Sequence, residues 1–375
     1  MITLAEAKVG MADKVDQQVI DEFRRGSLLL DLLLFDDAVS PGTGGSTLTY
    51  GYMKLKTPST ANFRALNTEY SSDSKAANEA KRDKASVDLK IFGGEFSLDR
   101  VIIKSSGAVD ELDFQMTEKI KGAINLFHYT VINGDSNTTS TEFDGLDVLL
   151  TGSSTEYNTD VYALTTDVAI NTHKNYYTRS GSGTTQSPYV YTLVASPVVA
   201  NIGSYYENTS EIDLSSSALM DSNYKVFLDA MDEFIATMQG KPSILLMNSK
   251  MKTKMKGIAR RAGYYSRTED AFGRGVDNWD NIPMQDLEEY FDGTNTKPCV
   301  PIATEGTTDI YAVQIAKDGF HGVSLQGDKI ITTALPDLKA PGVVKKGDVE
   351  MVTAVVLKNS LKAGVFRNIR VNRNN

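Results

Sequence analysis

The sequence predicts an α+β fold with more than one domain. Its 375 residues are enough for two or three hydrophobic cores. Amphipathic helical patterns alternate with short apolar strands along most of the chain, whereas residues 152–221 are dominated by Ser, Thr, Asn and Tyr. With 41% hydrophobic and 23% charged residues, the composition is typical of a globular protein.

Charge, cysteine content and apolar runs exclude several classes of protein. The net charge of -9 argues against a protein that grips nucleic acid, although a protein that encloses DNA without gripping it would tolerate this charge. One cysteine, Cys299, permits no intrachain disulfide. The most apolar run, Leu28 to Phe35, is too short to span a bilayer and contains Asp31, so we expect it in a core or an interface, with no membrane partner.

Two helices are predicted in the first third of the chain. Residues 4–25 carry apolar side chains at a spacing of three to four. Residues 108–132 form a stronger pattern, because one apolar stripe runs through Val109, Leu112, Met116, Ile120, Ala123, Phe127 and Val131. This second helix would be roughly 37 Å long, which suits it to bridging a plate-shaped subunit.

A long two-stranded arm is predicted between these helices. "TLTYGYMKLK" reads as an outgoing strand, and the stretch from Ser86 to Ile102 reads as the returning one. The tip between them, residues 59–85, is charged and polar and has too little apolar surface to fold alone. We therefore expect the tip to pack on another subunit, with Phe63, Leu66 and Tyr70 as the contacts.

The second half of the chain shows an α/β pattern after the Ser/Thr/Asn-rich segment, which we interpret as an inserted, exposed β domain. A helix is predicted up to Gly240, followed by a buried strand in "PSILLMN" and a basic helix capped by Ser249. Further strands are predicted in "DIYAVQIA" and "FHGVSLQG". The last segment is apolar on both alternating faces around Val352 to Leu357, as in a central strand.

The loop "NGDSNTTSTEFDG" between the long helix and the next apolar run allows two interpretations. Asp135, Asn137, Glu142 and Asp144 could bind calcium, but no Glu closes the loop at the EF-hand spacing. The pattern fits better with Gly134 ending the helix and Asp144-Gly145 forming a turn. We therefore predict no metal here.

Catalytic motifs are lacking elsewhere as well. None of His128, His173 and His321 stands in a metal-binding pattern, and no nucleophile elbow, P-loop or dinucleotide fingerprint occurs. We expect His128 to pack in the long helix, His321 to lie in a turn and Cys299 to be a buried thiol. The basic helix at 250–261 has no aromatic partners for stacking on bases and favours a solvated or partner-facing surface. The sequence predicts no enzyme and no cofactor.

The order of these parts resembles one known family. The stretches that carry the resemblance are "LAEAKVGMADKVDQQVIDEFRRGSLLLDLLLF", "FRALNTEYSSDS", "LKIFGGEFSLDRVI", "VINGDSNTTSTEFDGLDVLL", "DIYAVQIAKDGFHGVSL" and "VVLKNSLKAGVFRNIRV". They resemble the major capsid proteins of tailed bacteriophages, which have the Hong Kong phage-type shell fold shared with herpesvirus capsid floors and encapsulins.

This resemblance implies a division of the chain. The implied parts are an N-arm at 1–40, an extended loop at 41–97, a peripheral domain with a spine helix at 98–133 and 336–375, an axial domain at 134–151 and 222–335, and an inserted surface domain at 152–221.

It also implies a function: hexamers and pentamers that assemble into an icosahedral shell around viral dsDNA. The implied partners are other copies of the chain, a portal protein and packaged dsDNA bound without sequence specificity. Because the chain begins at the N-arm itself, we expect a separate scaffolding protein. The implied location is the virion capsid, assembled in the host cytoplasm.

Two alternatives remain open at this point. An encapsulin-type nanocompartment shell would have the same fold but house protein cargo. A Ser/Thr/Asn-rich surface-layer protein or adhesin would explain the composition of 152–221, but not the lack of an apolar signal core at the N-terminus.

Overall fold

The computed structural model describes most of the chain outside the N-terminus, the arm tip and the inserted segment. The described residues are 27–37, 47–57, 79–105, 111–158, 212–263, 275–304, 306–325, 330–337 and 341–372, with the shorter pieces 59, 61, 63–67, 162–164, 170–172, 175–180, 190–193, 206–208, 266–269 and 339. The predicted helix over 4–25 lies outside them.

Helices and strands alternate along these residues. The helices are α1 (Leu28–Leu32), α2 (Arg100–Ser105), α3 (Glu111–Asn133), α4 (Leu146–Leu150), α5 (Ser217–Ala236) and α6 (Ser249–Ala262), with a 3-10 turn at Ser360–Lys362. The strands are β1 (Phe35–Asp36), β2 (Thr49–Thr57), β3 (Lys81–Asp88), β4 (Lys90–Asp99), β5 (Glu156–Asn158), β6 (Tyr162–Leu164), β7 (Ile170–Thr172), β8 (Asn175–Ser180), β9 (Val190–Leu193), β10 (Tyr206–Asn208), β11 (Ile212–Asp213), β12 (Ile244–Met247), β13 (Ser266–Glu269), β14 (Gly275–Trp279), β15 (Ile282–Asp286), β16 (Glu289–Phe291), β17 (Thr296–Pro298), β18 (Thr307–Val313), β19 (Phe320–Ser324), β20 (Ile331–Ala334), β21 (Val344–Leu357) and β22 (Ala363–Arg370). No described helix is both long and apolar enough to cross a bilayer.

An eight-stranded sheet separates two hydrophobic cores. Its order is β11-β22-β18-β12-β15-β14-β13, with β5 also paired to β22. Alternate residues of β12 point to opposite faces, so Ile244 and Leu246 join the core that contains α3, whereas Leu245 and Met247 join the core of α5 and α6. This double burial explains the continuous apolar run predicted as a buried strand.

A five-stranded sheet is built around β21. Strand β4 pairs with one edge of β21, while β20 and β19 pair with the other edge. Residues 353–357 are all buried, which confirms the predicted central strand. The final apolar segment does not continue as one strand, because the 3-10 turn after Leu357 carries the chain into β22 and the other sheet.

Helix α3 packs across one face of the five-stranded sheet. Its buried residues include Ile120, Phe127 and Val131, which confirms the predicted apolar stripe from Met116 onward, whereas Val109 lies outside the described residues. Phe127 stacks on Phe92 of β4, with 6.2 Å between ring centroids. The helix ends at Asn133, one residue past the predicted end, and Gly134 follows as predicted.

The loop after α3 closes on its own ends. The Gly145 N–H donates to the Gly134 carbonyl oxygen at 2.8 Å. A Cβ on Gly134 would overlap the Phe143 carbonyl oxygen, so close approach of the backbone explains the glycine. Asp135 and Asp144 accept hydrogen bonds from backbone N–H groups of Asn137 and Ser136, so these carboxylates stabilise the loop itself.

The two ends of the inserted segment both pair with β22 of the eight-stranded sheet. Both β5 and β11 run parallel to β22, with Asn158 opposite Arg367 and Ile212 opposite Ile369. The ends of the predicted insertion therefore belong to the sheet, and Leu214 is fully buried. Most of the residues between β5 and β11 lie outside the described part of the chain, so a separate inserted domain stays a prediction.

Three local predictions were wrong. His321 lies in β19 opposite Val356 rather than in a turn, because the strand begins directly after Gly319. The cap of α6 is Asn248, whose side chain accepts from the Met251 N–H at 2.9 Å, and Ser249 is already helical. The predicted returning strand is two strands that meet at Leu89, since β3 pairs with β2 whereas β4 pairs with β21.

The implied domain boundaries stay a prediction. Strand β22, assigned to the peripheral domain, pairs with β18, which is assigned to the axial domain.

Candidate inter-subunit surface

The arm is attached to the subunit through two tyrosines of β2. Tyr50 is buried, and its hydroxyl donates to Asp36 Oδ2 at 3.1 Å. Tyr52 donates to the Leu357 carbonyl oxygen at 3.3 Å. Since Asp36 belongs to β1 and Leu357 to β21, the base of the arm is fixed to the five-stranded sheet.

At the attachment point of the arm, the surroundings keep Tyr50 and Tyr52 neutral and place Lys358 beside Tyr50. Burial, followed by the charge of Asp36 and the hydrogen bond to it, raises the pKa of Tyr50 to about 12. The Lys358 Nζ lies 5.3 Å from the centre of the Tyr50 ring, within cation–π range. The His321 ring meets Tyr50 edge-on at 6.0 Å, and burial, then Lys358, lowers the pKa of that histidine.

Beyond its base the arm is a hairpin exposed to solvent. In the ladder of β2 and β3, Met53 lies opposite Lys84. Met53 is 73% exposed, and Arg82 and Lys84 are also exposed. Side chains alternate along a strand, so Met53, Arg82 and Lys84 share one face of the hairpin.

The predicted contact residues lie at the tip. Phe63 and Leu66 are 107% and 88% exposed, so within the described chain these apolar side chains pack against nothing. Tyr70 lies outside the described residues. The role of all three as inter-subunit contacts stays a prediction, but the exposure of Phe63 and Leu66 is what such a role requires.

A histidine inside the subunit joins three segments of the chain. The Ser27 hydroxyl caps α1 by accepting from Leu29 and Leu30 N–H groups, so its proton is left to donate to His128 Nε2 at 2.7 Å. His128 Nδ1 therefore carries the ring proton and donates to the Leu287 carbonyl oxygen at 3.2 Å. Burial lowers the pKa of His128 to about 4, partly opposed by the Leu287 bond. This geometry agrees with the predicted packing role.

A buried arginine joins the start of the insertion to the eight-stranded sheet. Arg367, on β22, is 1% exposed and forms ion pairs with Glu156, Asp147 and Asp309 at 2.5, 2.8 and 3.1 Å. Its guanidinium also donates to Thr151 Oγ1 at 3.2 Å. Burial alone would lower the pKa of Arg367, but the surrounding carboxylates, Asp309 foremost, raise it.

Sequence reasoning missed this arginine cluster and the partner of His128. The members of the cluster are separated by up to 220 positions, and a single sequence gives no signal that joins them. The one available signal was Arg367 itself, a charge that directly follows the apolar residues Val365 and Phe366.

The described residues offer little for catalysis or metal binding. Within them, no group of three or more His, Cys, Asp or Glu side chains is placed to hold a metal ion. Cys299 is buried as predicted, and burial, then Asp286, raises the pKa of its thiol to about 12, which disfavours the reactive thiolate.

No protein-family model and no curated protein matches the sequence. Among solved structures, the holo-SrpI encapsulin complex from Synechococcus elongatus PCC 7942 aligns with 91% of this chain and 87% of its own, at 12% identity and a TM-score of 0.52. Mycobacterium phage Bobi aligns over 91% and 90% at 11% identity and a TM-score of 0.49. The capsid of Myoviridae Phage XM1 aligns over 91% of both chains at 11% identity and a TM-score of 0.45.

At identities this low, the similarity concerns the fold alone. The encapsulin alignment supports a shared fold because it covers nine-tenths of the chain at a TM-score of 0.52. The protein therefore has the Hong Kong phage-type shell fold that the order of its sequence elements predicted.

Proposed function

We propose that this protein is a major capsid protein of a tailed bacteriophage, which self-assembles as hexamers and pentamers into an icosahedral shell around viral dsDNA. The observation that carries the proposal is the arm. Its base is fixed to the subunit by Tyr50 and Tyr52, whereas Phe63 and Leu66 extend apolar surface into solvent.

The energetics of the tip require a partner. Ordering one residue costs about 1–2 kcal/mol. Burying one large apolar side chain returns roughly 1.5–3 kcal/mol, and Phe63 and Leu66 gain none of this in the free subunit. A neighbouring copy that covers Phe63, Leu66 and Tyr70 would supply the missing burial.

The remaining roles follow from the shell function and are part of the proposal. Residues 1–40 act as the N-arm, 41–97 as the loop that laps a neighbour, and 152–221 as an outward-facing insertion. The other partners are a separate scaffolding protein, a portal protein and dsDNA held without sequence specificity. Assembly takes place in the host cytoplasm, and the product is the virion capsid.

A structural rather than catalytic role suits the ionisable groups inside the subunit. Arg367 is surrounded by carboxylates, and His128 is bonded at both ring nitrogens. Groups held in this way stabilise the fold and have no open side from which a substrate could approach.

An encapsulin-type nanocompartment is the second candidate, and one observation favours it: the solved structure with a TM-score of 0.52 is an encapsulin complex. The two candidates differ in what the shell encloses. Nuclease-resistant dsDNA in particles purified from infected or lysogenic cells supports the capsid; a co-purifying protein cargo without DNA supports the nanocompartment. The fold favours either over a surface-layer protein or adhesin.

The test of assembly is electron microscopy of the protein expressed alone and with its neighbouring open reading frames. We expect closed particles with five-fold and six-fold clusters in at least one condition. A chain that remains monomeric at high concentration in every condition would overturn the proposal.

A second test isolates the arm. Thr57 pairs with Lys81 at the end of the hairpin, so residues 58–80 can be replaced by an Asn-Gly turn that keeps β2 and β3 paired. We expect a folded subunit with the wild-type circular dichroism spectrum that fails to form stable particles. Wild-type particle yield from this variant would mean that the tip does not join subunits.

A further inference from the structure

A buried histidine lies at the root of the arm, and one of its ring nitrogens has no partner. His321, in β19, is 0% exposed. Its Nδ1 lies 3.4 Å from the Gly319 carbonyl oxygen, which can only accept, so Nδ1 carries the ring proton. Nε2 is then an acceptor, and among the described residues it has no hydrogen-bond partner. A second proton on Nε2 would therefore add a buried charge whose N–H also lacks an acceptor.

The Tyr50 ring of the arm forms part of the wall around this imidazole. The two rings meet edge-on, with 6.0 Å between their centres. Tyr50 is itself buried and is held by the hydrogen bond of 3.1 Å from its hydroxyl to Asp36. Moving the base of the arm away from β19 would therefore remove this wall and let water reach the imidazole.

The charged and titratable groups around His321 come from each segment that packs on it. Asp36 of β1 raises the pKa of His321, whereas Lys358, which follows β21, and Lys317, in the turn before β19, lower it. From β2, the titratable group that faces the ring is Tyr50, whose own raised pKa keeps it neutral. Burial is the largest effect and Lys358 the next, so the pKa of His321 lies below its ordinary value of 6.5.

Proton linkage gives the sign of the effect of pH on the arm. With the arm packed, the pKa of His321 is lowered, whereas an imidazole exposed to water has a pKa of about 6.5. The open form therefore binds more protons as the pH falls below about 6.5, and acid shifts the equilibrium toward it by up to about tenfold for each pH unit. Between pH 7.5 and pH 5.0 the upper limit is about thirtyfold.

The other described histidine is held in a different way. His128 is bonded at both ring nitrogens, to Ser27 and to Leu287. Ser27 leads into α1, whose leucines at 28–30 are buried in the main hydrophobic core. Exposing His128 would open that core, so its protonation acts on the stability of the whole subunit. His321 instead borders a strand that continues into the exposed arm.

We propose that His321 is a proton sensor at the root of the arm: acid protonates its imidazole and shifts the base of the arm from the packed to an open position, while the two large sheets stay folded. In neutral solution the hydrogen bond to Asp36 and the cation of Lys358 hold Tyr50 against the imidazole. The proposal concerns the single subunit and does not rest on the shell function, so either can fail without the other.

Pulsed electron paramagnetic resonance on the monomeric fraction tests this. Nitroxide labels on Met53→Cys, in the exposed part of β2, and on Lys225→Cys, exposed on α5, report the distance between arm and body, and the native Cys299 is buried. We expect one distance at pH 7.5. At pH 5.0 a second, broader population should appear, with the ratio of open to packed subunits higher by up to about thirtyfold. The emission of buried Trp279 should keep its folded value.

Three variants assign the response to His321. His321→Phe keeps an aromatic ring against Tyr50 but cannot take a proton, so the ratio of open to packed subunits should be the same at both pH values. Lys358→Met removes a cation that lowers the pKa of His321, so the ratio should change less with pH, which tests the proposal independently if His321→Phe does not fold. His128→Asn removes the other described histidine and should keep the full response.

The results that would overturn the proposal are distinct. One is a single arm distance at pH 5.0 in the otherwise wild-type subunit. Another is an unchanged pH response in either His321→Phe or Lys358→Met, or its loss in His128→Asn. The last is an arm opening that occurs only together with a shift of the Trp279 emission, since acid would then unfold the whole subunit rather than move the arm.

Discussion

Arg367 and Arg82 show how one residue type is used in two different ways in this molecule. Arg367 is 1% exposed and meets three carboxylates from three elements, whereas Arg82 is exposed and meets none among the described residues. The first set of interactions is complete when the subunit folds. Arg82 has no ion-pair partner among the residues that the structure describes. The difference teaches that substitutions in the two regions should act on different quantities, the free energy of unfolding in the first and assembly in the second.

The largest expected effect is that of Arg367→Met. Removing the cation leaves Asp147, Glu156 and Asp309 buried together without compensation, which should lower the free energy of unfolding by about 3–5 kcal/mol. Urea denaturation followed by the fluorescence of Trp279, the single tryptophan and 1% exposed, measures this.

The matched control is Arg82→Met, which makes the same change on the arm. It should shift the free energy of unfolding by no more than about 0.5 kcal/mol, as expected for an exposed position. Equal denaturation midpoints for the two variants would erase the distinction between the regions.

An intermediate effect is expected from His128 as the pH falls. Its pKa is about 4 in the folded subunit and about 6.5 when unfolded, so the unfolded chain binds more protons between these values. The stabilisation is complete above pH 6.5 and is lost progressively down to about pH 4, with a total on the order of 3 kcal/mol.

The control is His128→Asn, which cannot titrate. This variant should be less stable at pH 7 and should lose less stability between pH 6.5 and pH 4. Some pH dependence should remain, since burial also lowers the pKa of His321. The same pH slope in both proteins, followed by denaturant titration, would argue against a buried neutral His128.

The smallest expected effect on the free subunit is that of Phe63→Ala with Leu66→Ala. Both side chains are exposed, so the free energy of unfolding should change by about 0.5 kcal/mol or less. Phe127→Ala, on the buried face of α3, should cost about 3–5 kcal/mol in the same assay. For each kcal/mol of lost stability, the tip variant should lower particle yield more than Phe127→Ala does. Unchanged yield from the tip variant would mean that Phe63 and Leu66 contact no neighbour.

The sequence could predict those parts of the fold in which the spacing of apolar residues depends only on the burial of one helix or strand. The stripe of α3 and the double-sided burial of β12 follow from helix and strand periodicity, and both were confirmed. The exposed position of Phe63 and Leu66 followed from the lack of apolar neighbours along the tip.

Other features depend on contacts between distant segments and could not be predicted. The choice of β4 to leave β3 and pair with β21 is set by the second half of the chain, far from Leu89. His321 was placed in a turn because Gly319 and Gly322 flank it, but the close approach of the Phe35 ring to Gly322 explains that second glycine. The ion pairs of Arg367 join positions that no local pattern connects.

The interrupted edge beside β22 has a consequence for how this protein can change. Asn158 ends β5 and Ile212 begins β11, and both strands pair with the same edge of β22, with only the position opposite Asn368 between them. Positions two apart along a regular strand are about 6.6 Å apart, so the two ends of the intervening segment leave the sheet close together. Any polypeptide whose ends come within that distance can occupy the gap without altering the hydrogen bonds of the sheet. Residues 159–211 are therefore a natural site for exchanging sequence, whether by evolution or by grafting a foreign domain for display.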